Sequence, residues 1–486
     1  MKKGDEIVGI VESISFPNKA VVALEEDTKK CHVKNGIPGQ KVKVRITKKR
    51  ADKYEGQVID VIEKAENEIE PSCRHFGLCG GCSYQNLAYE DQLALKKSQI
   101  DQIFRPVITN ELTKNRSMYE SQIADFDGYF DQIFEGIKAS PVHEKYRNKM
   151  EFSFGDSCKD GDLELGLHKK GSFYDIVSVT GCQIVDEDFA LILKTTLGYF
   201  RGKGCSYYHK MTHEGFLRHL LVRKAAKTGE IMICLVTTSK KPQEVPCTEV
   251  SIVDDWKEEM LALNLSGQIA GVLHIINDSL SDVVQSDETK VLYGRDYINE
   301  EVLGLKFKIS PFSFFQTNTL SAEVIYETAR EYINLGDDAK NSTVFDLYSG
   351  TGTIAQLLAP AAGKVVGVEI VEEAVEAAKE NVVINGLDNC HFIAGDVLKV
   401  LDEIGEKPDF IILDPPRDGI NPKALRKIID YGVDSLVYIS CKPTSLARDL
   451  EMLIGCGYLP KRLVAVDQFP GTVHVEVVTL LCRQKQ

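Results

Sequence analysis

One cysteine near the C-terminal end of the chain stands where an enzyme could use a thiol. Cys441 directly follows residues 435–439, an apolar run that predicts a buried β-strand. Open α/β sheets bind their ligands at the carboxyl ends of the strands, so a thiol at that point could act as a nucleophile. The alternative is a structural thiol that only packs, and Cys441 alone does not decide between the two.

Three cysteines nearer the N-terminus have the spacing of a soft-metal site. Cys73, Cys79 and Cys82 follow the pattern C-x5-C-x2-C, and the two glycines between the last two let the backbone wrap closely. A structural zinc ion and a four-iron cluster each take four protein ligands. The nearest downstream candidates for the fourth are Cys158 and Cys182. Spacing alone does not separate zinc from iron–sulfur.

A glycine-rich turn in the C-terminal third indicates a nucleoside-binding α/β unit. The apolar run 343–347 leads into Gly350 and Gly352, and the next predicted strand ends at Glu369. A carboxylate about twenty residues after the first glycine suits ribose hydroxyls. Asp396, after a third strand, is expected near the adenine, and Asp414 ends a fourth strand. Without a third glycine to cradle a pyrophosphate, the turn favours S-adenosylmethionine over NAD.

Composition sets the limits within which these motifs must work. The chain has 486 residues, enough for two to four domains, and a formal net charge of −14. That charge argues against nucleic-acid binding by bulk electrostatics and favours a small-molecule enzyme, although a local basic face remains compatible with it. Without a membrane-length apolar run or an apolar leader, we expect a cytoplasmic protein whose 13 cysteines serve metal, catalysis or packing.

The N-terminal segment is predicted to be a small β-barrel. Short strand-like runs and a glycine–proline turn within residues 1–65 indicate an OB-like barrel, a common nucleic-acid scaffold. Residues 47–50 and Lys53 would give it a basic rim, the alternative being a solvated loop. The segment resembles a TRAM domain, an RNA-binding module of RNA-modifying enzymes.

The middle of the chain is predicted to be a mostly antiparallel β domain. A helix over 89–104 precedes it, and the polar stretch 109–140, which has little periodicity, is interpreted as an insertion or helical excursion. Basic residues of this domain could gather into a phosphate-binding face, or could be scattered surface charges. They are Arg147, Lys149, His168, Lys169, Lys170, Arg218 and Arg223.

Taken together, the motifs resemble the RNA uracil-5-methyltransferases of the iron–sulfur type that modifies 23S ribosomal RNA. The resemblance covers nearly the whole chain, and its most specific parts are Asp-Pro-Pro-Arg at 414–417, Ser-Cys-x-Pro at 440–443 and Pro-Gly-Thr-x-His-x-Glu at 470–476. It implies a TRAM barrel over 1–65, a cluster-bearing RNA-binding domain over 66–305 and a Rossmann-like class I methyltransferase domain over 306–486. RNA is the implied partner, with no membrane and no second copy of the chain.

The resemblance also assigns roles to individual residues. It implies a [4Fe-4S] cluster held by Cys73, Cys79, Cys82 and Cys182, which leaves Cys158 outside the site. It implies an S-adenosylmethionine pocket lined by Gln316, Tyr348, Glu369 and Asp414.

The chemistry explains why a cysteine and a carboxylate are needed. Uracil C5 is too poor a nucleophile to take a methyl group from a sulfonium directly, but addition of a thiolate to C6 makes C5 enolate-like. A base must then remove the C5 proton so that the thiolate can leave. Cys441 matches the family's nucleophile and Glu476 its base. The target uracil is expected to be flipped out of its stack.

Three other functions compete with methylation of 23S ribosomal RNA. The first is the same reaction on a transfer RNA uridine, but bacterial enzymes of that type generally lack the barrel and cysteine segments. The second is a non-catalytic RNA-binding cluster protein, against which Cys441 and Glu476 argue. The third is a radical enzyme, whose usual C-x3-C-x2-C spacing this chain does not have. Two departures from the family are the long 109–140 region and the overall acidity.

Overall fold

The computed structural model describes residues 1–240, 249–281, 284–333 and 341–484, with the side chains of 249–251 left out. The chain forms two compact units. Unit 1 comprises Met1–Ser72, Cys82–Ala139 and Pro415–Gln486, and unit 2 comprises Cys73–Gly81 and Ser140–Asp414. The domain limits drawn from the sequence at 65/66 and 305/306 stay a prediction.

The strands, in chain order, are β1 (Glu6–Ser15), β2 (Lys19–Leu24), β3 (Cys31–Lys34), β4 (Lys41–Lys49), β5 (Tyr54–Glu63), β6 (Phe134–Lys138), β7 (Lys149–Asp156), β8 (Leu163–His168), β9 (Ile176–Val177), β10 (Leu217–Lys224), β11 (Glu230–Thr237), β12 (Gln268–Ile276), β13 (Glu288–Gly294), β14 (Ile298–Val302), β15 (Leu305–Ile309), β16 (Thr343–Leu347), β17 (Lys364–Glu369), β18 (Cys390–Ala394), β19 (Phe410–Leu413), β20 (Ser435–Ser440), β21 (Tyr458–Val466) and β22 (Glu476–Arg483).

The helices, in chain order, are α1 (Tyr89–Lys114), α2 (Arg116–Tyr119), α3 (Tyr129–Ile133), α4 (Glu187–Gly202), α5 (Glu249–Leu261), α6 (Thr319–Ile333), α7 (Thr353–Leu358), α8 (Glu372–Ile384), α9 (Val397–Glu403), α10 (Pro422–Tyr431) and α11 (Pro443–Gly455). None of the helices in the described part of the chain is long and apolar enough to cross a membrane.

Unit 1 begins with the predicted barrel. Its strands close in the order β1-β2-β3-β5-β4 around alternating apolar side chains such as Val22, Val42 and Val44, as the period of two in each strand requires. Thr47, Lys48 and Lys49 are exposed at the end of strand β4, and Arg50 and Lys53 lie in the connection to β5, so only the latter part of the stretch is a loop. Arg50, just beyond the strand, donates to Glu55 at 2.8 Å, which offsets part of the rim's positive charge.

The remainder of unit 1 is a helix-backed sheet. Antiparallel strands β20, β22 and β21 lie side by side, and β6 adds to β21 in parallel. The region 109–140 is part of this core rather than a loose insertion, because Tyr119 and Tyr129 are buried and donate to the carbonyls of Ile454 and Pro460. The sequence does not make this role obvious, because the buried Phe126, Tyr129, Phe130 and Ile133 are interspersed with polar and acidic residues.

Unit 2 contains the predicted antiparallel sheet. Its order is β13-β12-β11-β10-β7-β8-β9, with β11–β12 as the parallel pair. Two residues expected in a basic face lie inside this unit instead. Arg218 and Arg223 are buried and donate to backbone carbonyls, at 2.7 Å to Ser279 and 2.5 Å to Ser313. Because both guanidinium groups are buried and donate to backbone carbonyls inside this unit, the assignment of both arginines to phosphates is wrong.

The second layer of unit 2 is the α/β region. Four parallel strands pair in the order β18-β17-β16-β19, with helices between consecutive strands along the chain. Strand β18 buries only Cys390 and Phe392, whereas β16, β17 and β19 are buried along most of their length, as in doubly covered parallel sheets. Their carboxyl ends, at Leu347, Glu369 and Leu413, therefore lie along one edge.

Candidate active site

In unit 1, two neighbouring strands bring Cys441 and Glu476 together. Ser440, the last residue of β20, pairs with Val477 in the antiparallel ladder to β22. Cys441 directly follows Ser440, and Glu476 directly precedes Val477, so the two residues lie at the adjoining ends of this ladder. A thiol and a carboxylate separated by 35 positions in the sequence thus occupy adjacent strand ends.

The turn after β20 keeps the thiol accessible. Cys441 is half-buried, and the hydroxyl of Ser440 accepts from the Lys442 amide at 3.3 Å and donates to the Lys442 carbonyl at 3.2 Å. Pro443 then starts α11, a position where its fixed φ and missing N–H cost nothing. Glu476, in contrast, is buried at the start of β22.

A lysine of α1 holds the loop that leads into Glu476. Lys96 and Asp467 are both fully buried, and the Lys96 ammonium lies 2.6 Å from the Asp467 carboxylate. The same ammonium donates to the carbonyls of Phe469 at 3.2 Å and His474 at 3.0 Å. One cation thereby fixes both ends of the loop. Sequence reasoning missed it, because nothing local distinguishes Lys96 from the exposed Lys97 beside it.

The middle of that loop is held through Gly471. Its amide donates to the Gln92 side chain at 2.8 Å, and its carbonyl accepts from the amides of Ser83 at 2.8 Å and Tyr84 at 2.9 Å. A side chain at Gly471, where φ is 75°, would approach Gln85 at 3.2 Å. The Pro-Gly-Thr motif of the sequence therefore forms a turn that is docked on α1 and on the segment after Cys82.

In unit 2, the glycine turn after β16 has an unusual backbone. Tyr348, Gly350 and Gly352 have φ values of 69°, 53° and 72°, all in the left-handed region. For a tyrosine this conformation costs roughly 1–2 kcal/mol, and such strain concentrates at ligand sites. Thr351 donates to the carbonyl of Phe314 at 3.3 Å, so the segment that carries Gln316 lies against the turn.

Two carboxylates around this turn accept hydrogen bonds from backbone amides. Glu369 accepts from the Gly350 amide at 2.9 Å and from the Ile370 and Val371 amides at 2.9 and 3.0 Å. It therefore fixes the glycine turn as well as ending β17. Asp396, expected near an adenine, accepts from the Leu398 amide at 2.9 Å as the N-cap of α9.

Two further carboxylates at this edge are unusually basic. Burial raises the pKa of Asp346 to about 8, with smaller contributions from Asp414 and Glu369, and burial raises the pKa of Asp414 to about 7. Asp346 was not among the predicted site residues, although it opens the Asp-x-x-x-Gly-x-Gly pattern. Perturbed carboxyls at the carboxyl ends of parallel strands are typical of ligand sites.

The residues at this edge fit S-adenosylmethionine. Among the described residues, Asp346 Oδ1 and Ser349 Oγ are buried without a protein hydrogen-bond partner. Such atoms are costly unless a ligand or water satisfies them. A nucleoside with an amino-acid tail offers hydroxyls and an ammonium group for these oxygens, whereas the turn lacks the glycine that a pyrophosphate needs. Tyr348, Glu369 and Asp414 lie at the same edge, and their role in a cofactor pocket stays a prediction.

We expect a Gly352→Ala substitution to weaken cofactor binding and to destabilise unit 2. A Cβ there would lie 2.3 Å from the Phe392 ring and 2.9 Å from Ala378 Cβ, and an alanine would also have to adopt a φ of 72°. Strain and overpacking together should cost at least about 2 kcal/mol. Gly386→Ala is the matched control, since its φ is 62° with no atom within 4 Å. Calorimetric titration with S-adenosylmethionine and denaturant unfolding measure both effects; equal losses in the two variants would contradict the predicted clash.

The predicted cluster cysteines are only partly brought together. In unit 2, Cys73 and Cys79 are buried, and the pKa of the Cys182 thiol is raised to about 11, mainly by burial and also by the nearby Cys73 and Cys79. Cys82, in unit 1, accepts from the Gln85 amide nitrogen at 3.3 Å. Cys158 is exposed.

The cysteine thiols suit iron–sulfur ligation by donor type. Their arrangement is not that of an assembled site: within the part of the chain that the structure describes, no three His, Cys, Asp or Glu side chains are grouped to hold a metal ion. Cys73 and Cys79 therefore lie close enough to Cys182 to raise the pKa of its thiol, but the three do not form a ligand set.

Proteins named as RNA methyltransferases are similar to this chain over nearly its whole length. Residues 235–484, just over half of the chain, match the model of a family described as tRNA (Uracil-5-)-methyltransferase. A protein of Clostridium tetani and one of Caldanaerobacter subterraneus, each named an uncharacterized RNA methyltransferase, are both 47% identical to this chain. The alignments cover 100% and 99% of this chain and 99% of each relative.

A solved structure shares the fold. The tRNA (uracil-54, C5)-methyltransferase of Pyrococcus abyssi, solved with S-adenosyl-L-homocysteine, superimposes with a TM-score of 0.72 at 23% sequence identity. The match covers 98% of this chain and 100% of the Pyrococcus chain. At that identity the likeness concerns the fold alone.

Proposed function

The chain belongs to the tRNA (uracil-5-)-methyltransferase family, and from this premise we propose that it forms 5-methyluridine in 23S ribosomal RNA. It is an S-adenosylmethionine-dependent RNA methyltransferase by family, and the ribosomal target is our proposal. The observation that supports the chemistry is the β20–β22 ladder, whose last pair, Ser440 and Val477, adjoins both Cys441 and Glu476. We further propose that it acts as a cytoplasmic monomer.

In the proposed reaction, Cys441 Sγ forms a bond to uracil C6 and the C5–C6 π electrons become available at C5. Bound S-adenosylmethionine supplies an electrophilic methyl group, which C5 takes up. Glu476 then accepts the C5 proton, the C5=C6 bond reforms, and the Cys441–C6 bond breaks to release thiolate. The products are 5-methyluracil in RNA, S-adenosylhomocysteine and one proton, so atoms and electrons balance.

The cofactor pocket in this proposal is the edge of unit 2 described above. Gln316, Tyr348, Glu369 and Asp414 line it. The strained Tyr348 and the buried carboxyl group of Asp414 support this assignment, because both are features of ligand sites.

A transfer RNA uridine is the alternative substrate, and one observation favours it. The Pyrococcus protein is named as a tRNA methyltransferase, and the match covers 100% of its chain. An enzyme with this fold, barrel included, can thus act on transfer RNA. The barrel therefore does not by itself decide the target. The C-x5-C-x2-C segment, by its resemblance to the ribosomal type, supports 23S ribosomal RNA.

The substrate is tested by mapping 5-methyluridine in ribosomal and transfer RNA from a strain lacking the gene. We expect loss from 23S ribosomal RNA, restored by the intact gene and not by a Cys441→Ala copy. Loss confined to transfer RNA would replace the ribosomal target by the alternative. Unchanged 5-methyluridine in both RNA classes would overturn the proposed function.

We also propose a [4Fe-4S] cluster ligated by Cys73, Cys79, Cys82 and Cys182. The thiol donors and the proximity of Cys73 and Cys79 to Cys182 support it, and no step of the reaction depends on it. Protein purified without oxygen is expected to be brown and to contain about four irons per chain. Cys182→Ser should lower the iron content and Cys158→Ser should not, since Cys158 is exposed. A colourless protein with zinc, or with no metal, would contradict the cluster.

A further inference from the structure

Unit 2 presents large apolar side chains to solvent on two adjoining turns. Phe173 is 86% exposed and Tyr174 58% exposed, both in the turn between β8 and β9. Met211, in the segment before β10, is 69% exposed, and its sulfur lies 4.0 Å from the Tyr174 hydroxyl. A single exposed apolar residue is ordinary, but a contiguous group of them marks a binding surface.

Hydrogen bonds hold the first turn in a defined conformation, which gives its aromatic rings defined positions. The Lys169 amide donates to Asp175 at 2.8 Å, and the Ser172 hydroxyl accepts from the amides of Tyr174 at 3.2 Å and Asp175 at 3.1 Å. The turn is also fastened to the first cysteine loop, because the Lys170 amide donates to the Leu78 carbonyl at 2.7 Å. A preorganised surface loses little conformational entropy on binding.

The second turn is ordered in the same way. The His209 amide donates to Glu214 at 2.7 Å, and its ring Nδ1 accepts from the amides of Met211 at 3.3 Å and Thr212 at 3.4 Å. Met211 is thus held out beside Tyr174 by hydrogen bonds within its own turn.

The charge around these side chains favours a polyanion. Lys169 and Lys170 precede Phe173, and Lys210 precedes Met211, so each turn carries lysine near its exposed apolar side chains. The acidic residues of the turns are Asp175, 3.9 Å from Lys169, and Glu214. Three lysines against two carboxylates is a local positive excess on a chain whose formal net charge is −14.

We propose that Phe173 and Tyr174, flanked by Lys169, Lys170 and Lys210, form a stacking surface for unpaired bases of the RNA substrate. This inference rests on the proposed function, since it names how the same substrate is held. Aromatic faces stack on bases of any sequence, and neighbouring lysines contact the phosphates. An apolar protein partner would need a continuous aliphatic patch, whereas here charge interrupts the apolar surface at each turn.

The test is RNA affinity, measured by fluorescence anisotropy on the full chain with a short fluorescein-labelled oligouridine. Phe173→Ala/Tyr174→Ala should weaken binding roughly tenfold or more, because each stacked base contributes about 1–3 kcal/mol, and tenfold is about 1.4 kcal/mol. Tyr293→Ala, at a 46% exposed tyrosine of β13, is the matched control and should bind as the unaltered protein does. A fully paired RNA duplex should show little difference among the variants.

Phe173→Leu and Phe173→Trp separate stacking from a simple apolar contact. Leucine keeps the apolar surface but has no ring, so affinity should fall, and tryptophan should retain or increase affinity. Unchanged affinity in the double variant, an equal loss in Tyr293→Ala, or a leucine variant that binds normally would each overturn the stacking surface. Normal RNA binding by the leucine variant would show that an apolar side chain suffices at this position without an aromatic ring.

The anisotropy readout does not depend on methyl transfer. Normal oligouridine binding by a protein that methylates no RNA would therefore overturn the proposed function and leave this inference standing. If methyl transfer persists and the double variant binds oligouridine normally, the stacking surface would be overturned and the proposed function would stand.

Discussion

Cys441→Ala is expected to abolish methyl transfer, with a loss of roughly 10⁴-fold or more, as removal of a covalent nucleophile typically causes. The thiol is half-buried at the end of β20, so replacing it by alanine removes reactivity without leaving a large cavity. The variant should therefore unfold at the same denaturant concentration as the unaltered protein. Transfer of a radiolabelled methyl group from S-adenosylmethionine to RNA measures the effect.

The matched control is Cys456→Ala, at another half-buried cysteine, just beyond α11, which should keep full activity. Substantial methyl transfer by Cys441→Ala would contradict the covalent mechanism. Binding of S-adenosylmethionine to the same variant should be unchanged, because the proposed pocket residues are elsewhere in the chain. A parallel loss of cofactor binding would instead indicate a structural role for Cys441.

Glu476→Gln tests whether Glu476 is the base that removes the C5 proton. The amide keeps the size of the buried carboxylate but cannot accept the C5 proton, so turnover should fall by roughly 10²- to 10⁴-fold. The thiolate then cannot leave, and a covalent enzyme–RNA adduct should accumulate as a slower band on a denaturing gel. The adduct should be absent from the Cys441→Ala/Glu476→Gln double variant. Normal turnover without an adduct would exclude Glu476 as the base.

Lys96→Met is expected to be among the most destabilising single changes in unit 1. It leaves the Asp467 carboxylate buried without its cation and removes the donor to the carbonyls of Phe469 and His474. Breaking a fully buried ion pair from one side typically costs about 3–5 kcal/mol. Urea unfolding, followed by a probe within unit 1, measures the change in the free energy of unfolding.

Two control variants test whether the loss of stability comes from the buried ion pair. Lys97→Met alters the exposed neighbour on the same helix and should change stability by no more than about 0.5 kcal/mol. Lys96→Met/Asp467→Leu removes both charges, and should recover much of the loss because neither charge is then buried alone. If the Lys96 and Lys97 variants were equally stable, the ion pair would contribute nothing to the fold. Since Lys96 holds the loop into Glu476, activity should fall further than stability alone explains.

The amino-acid sequence determined the features that depend on neighbouring residues. The period-two strands of the N-terminal barrel, the strand that ends at Cys441 and the glycine turn at 350–352 all follow from local patterning. Side-chain periodicity and backbone demands act over a few residues, so a single chain displays them directly. The motifs around Cys441 and Glu476 also indicated the family that the comparisons confirm.

Tertiary structure decided what depends on distant residues. The β20–β22 ladder brings the strand ends at Cys441 and Glu476 next to each other, and the Lys96–Asp467 pair joins positions 371 apart in the sequence. Arg218 and Arg223 look like surface cations in the sequence, but both are buried and donate to backbone carbonyls of other segments. Burial and register are settled by long-range packing, and neither leaves a local signature. The sequence therefore supplied the candidate thiol and carboxylate, and only the fold shows that their strand ends adjoin.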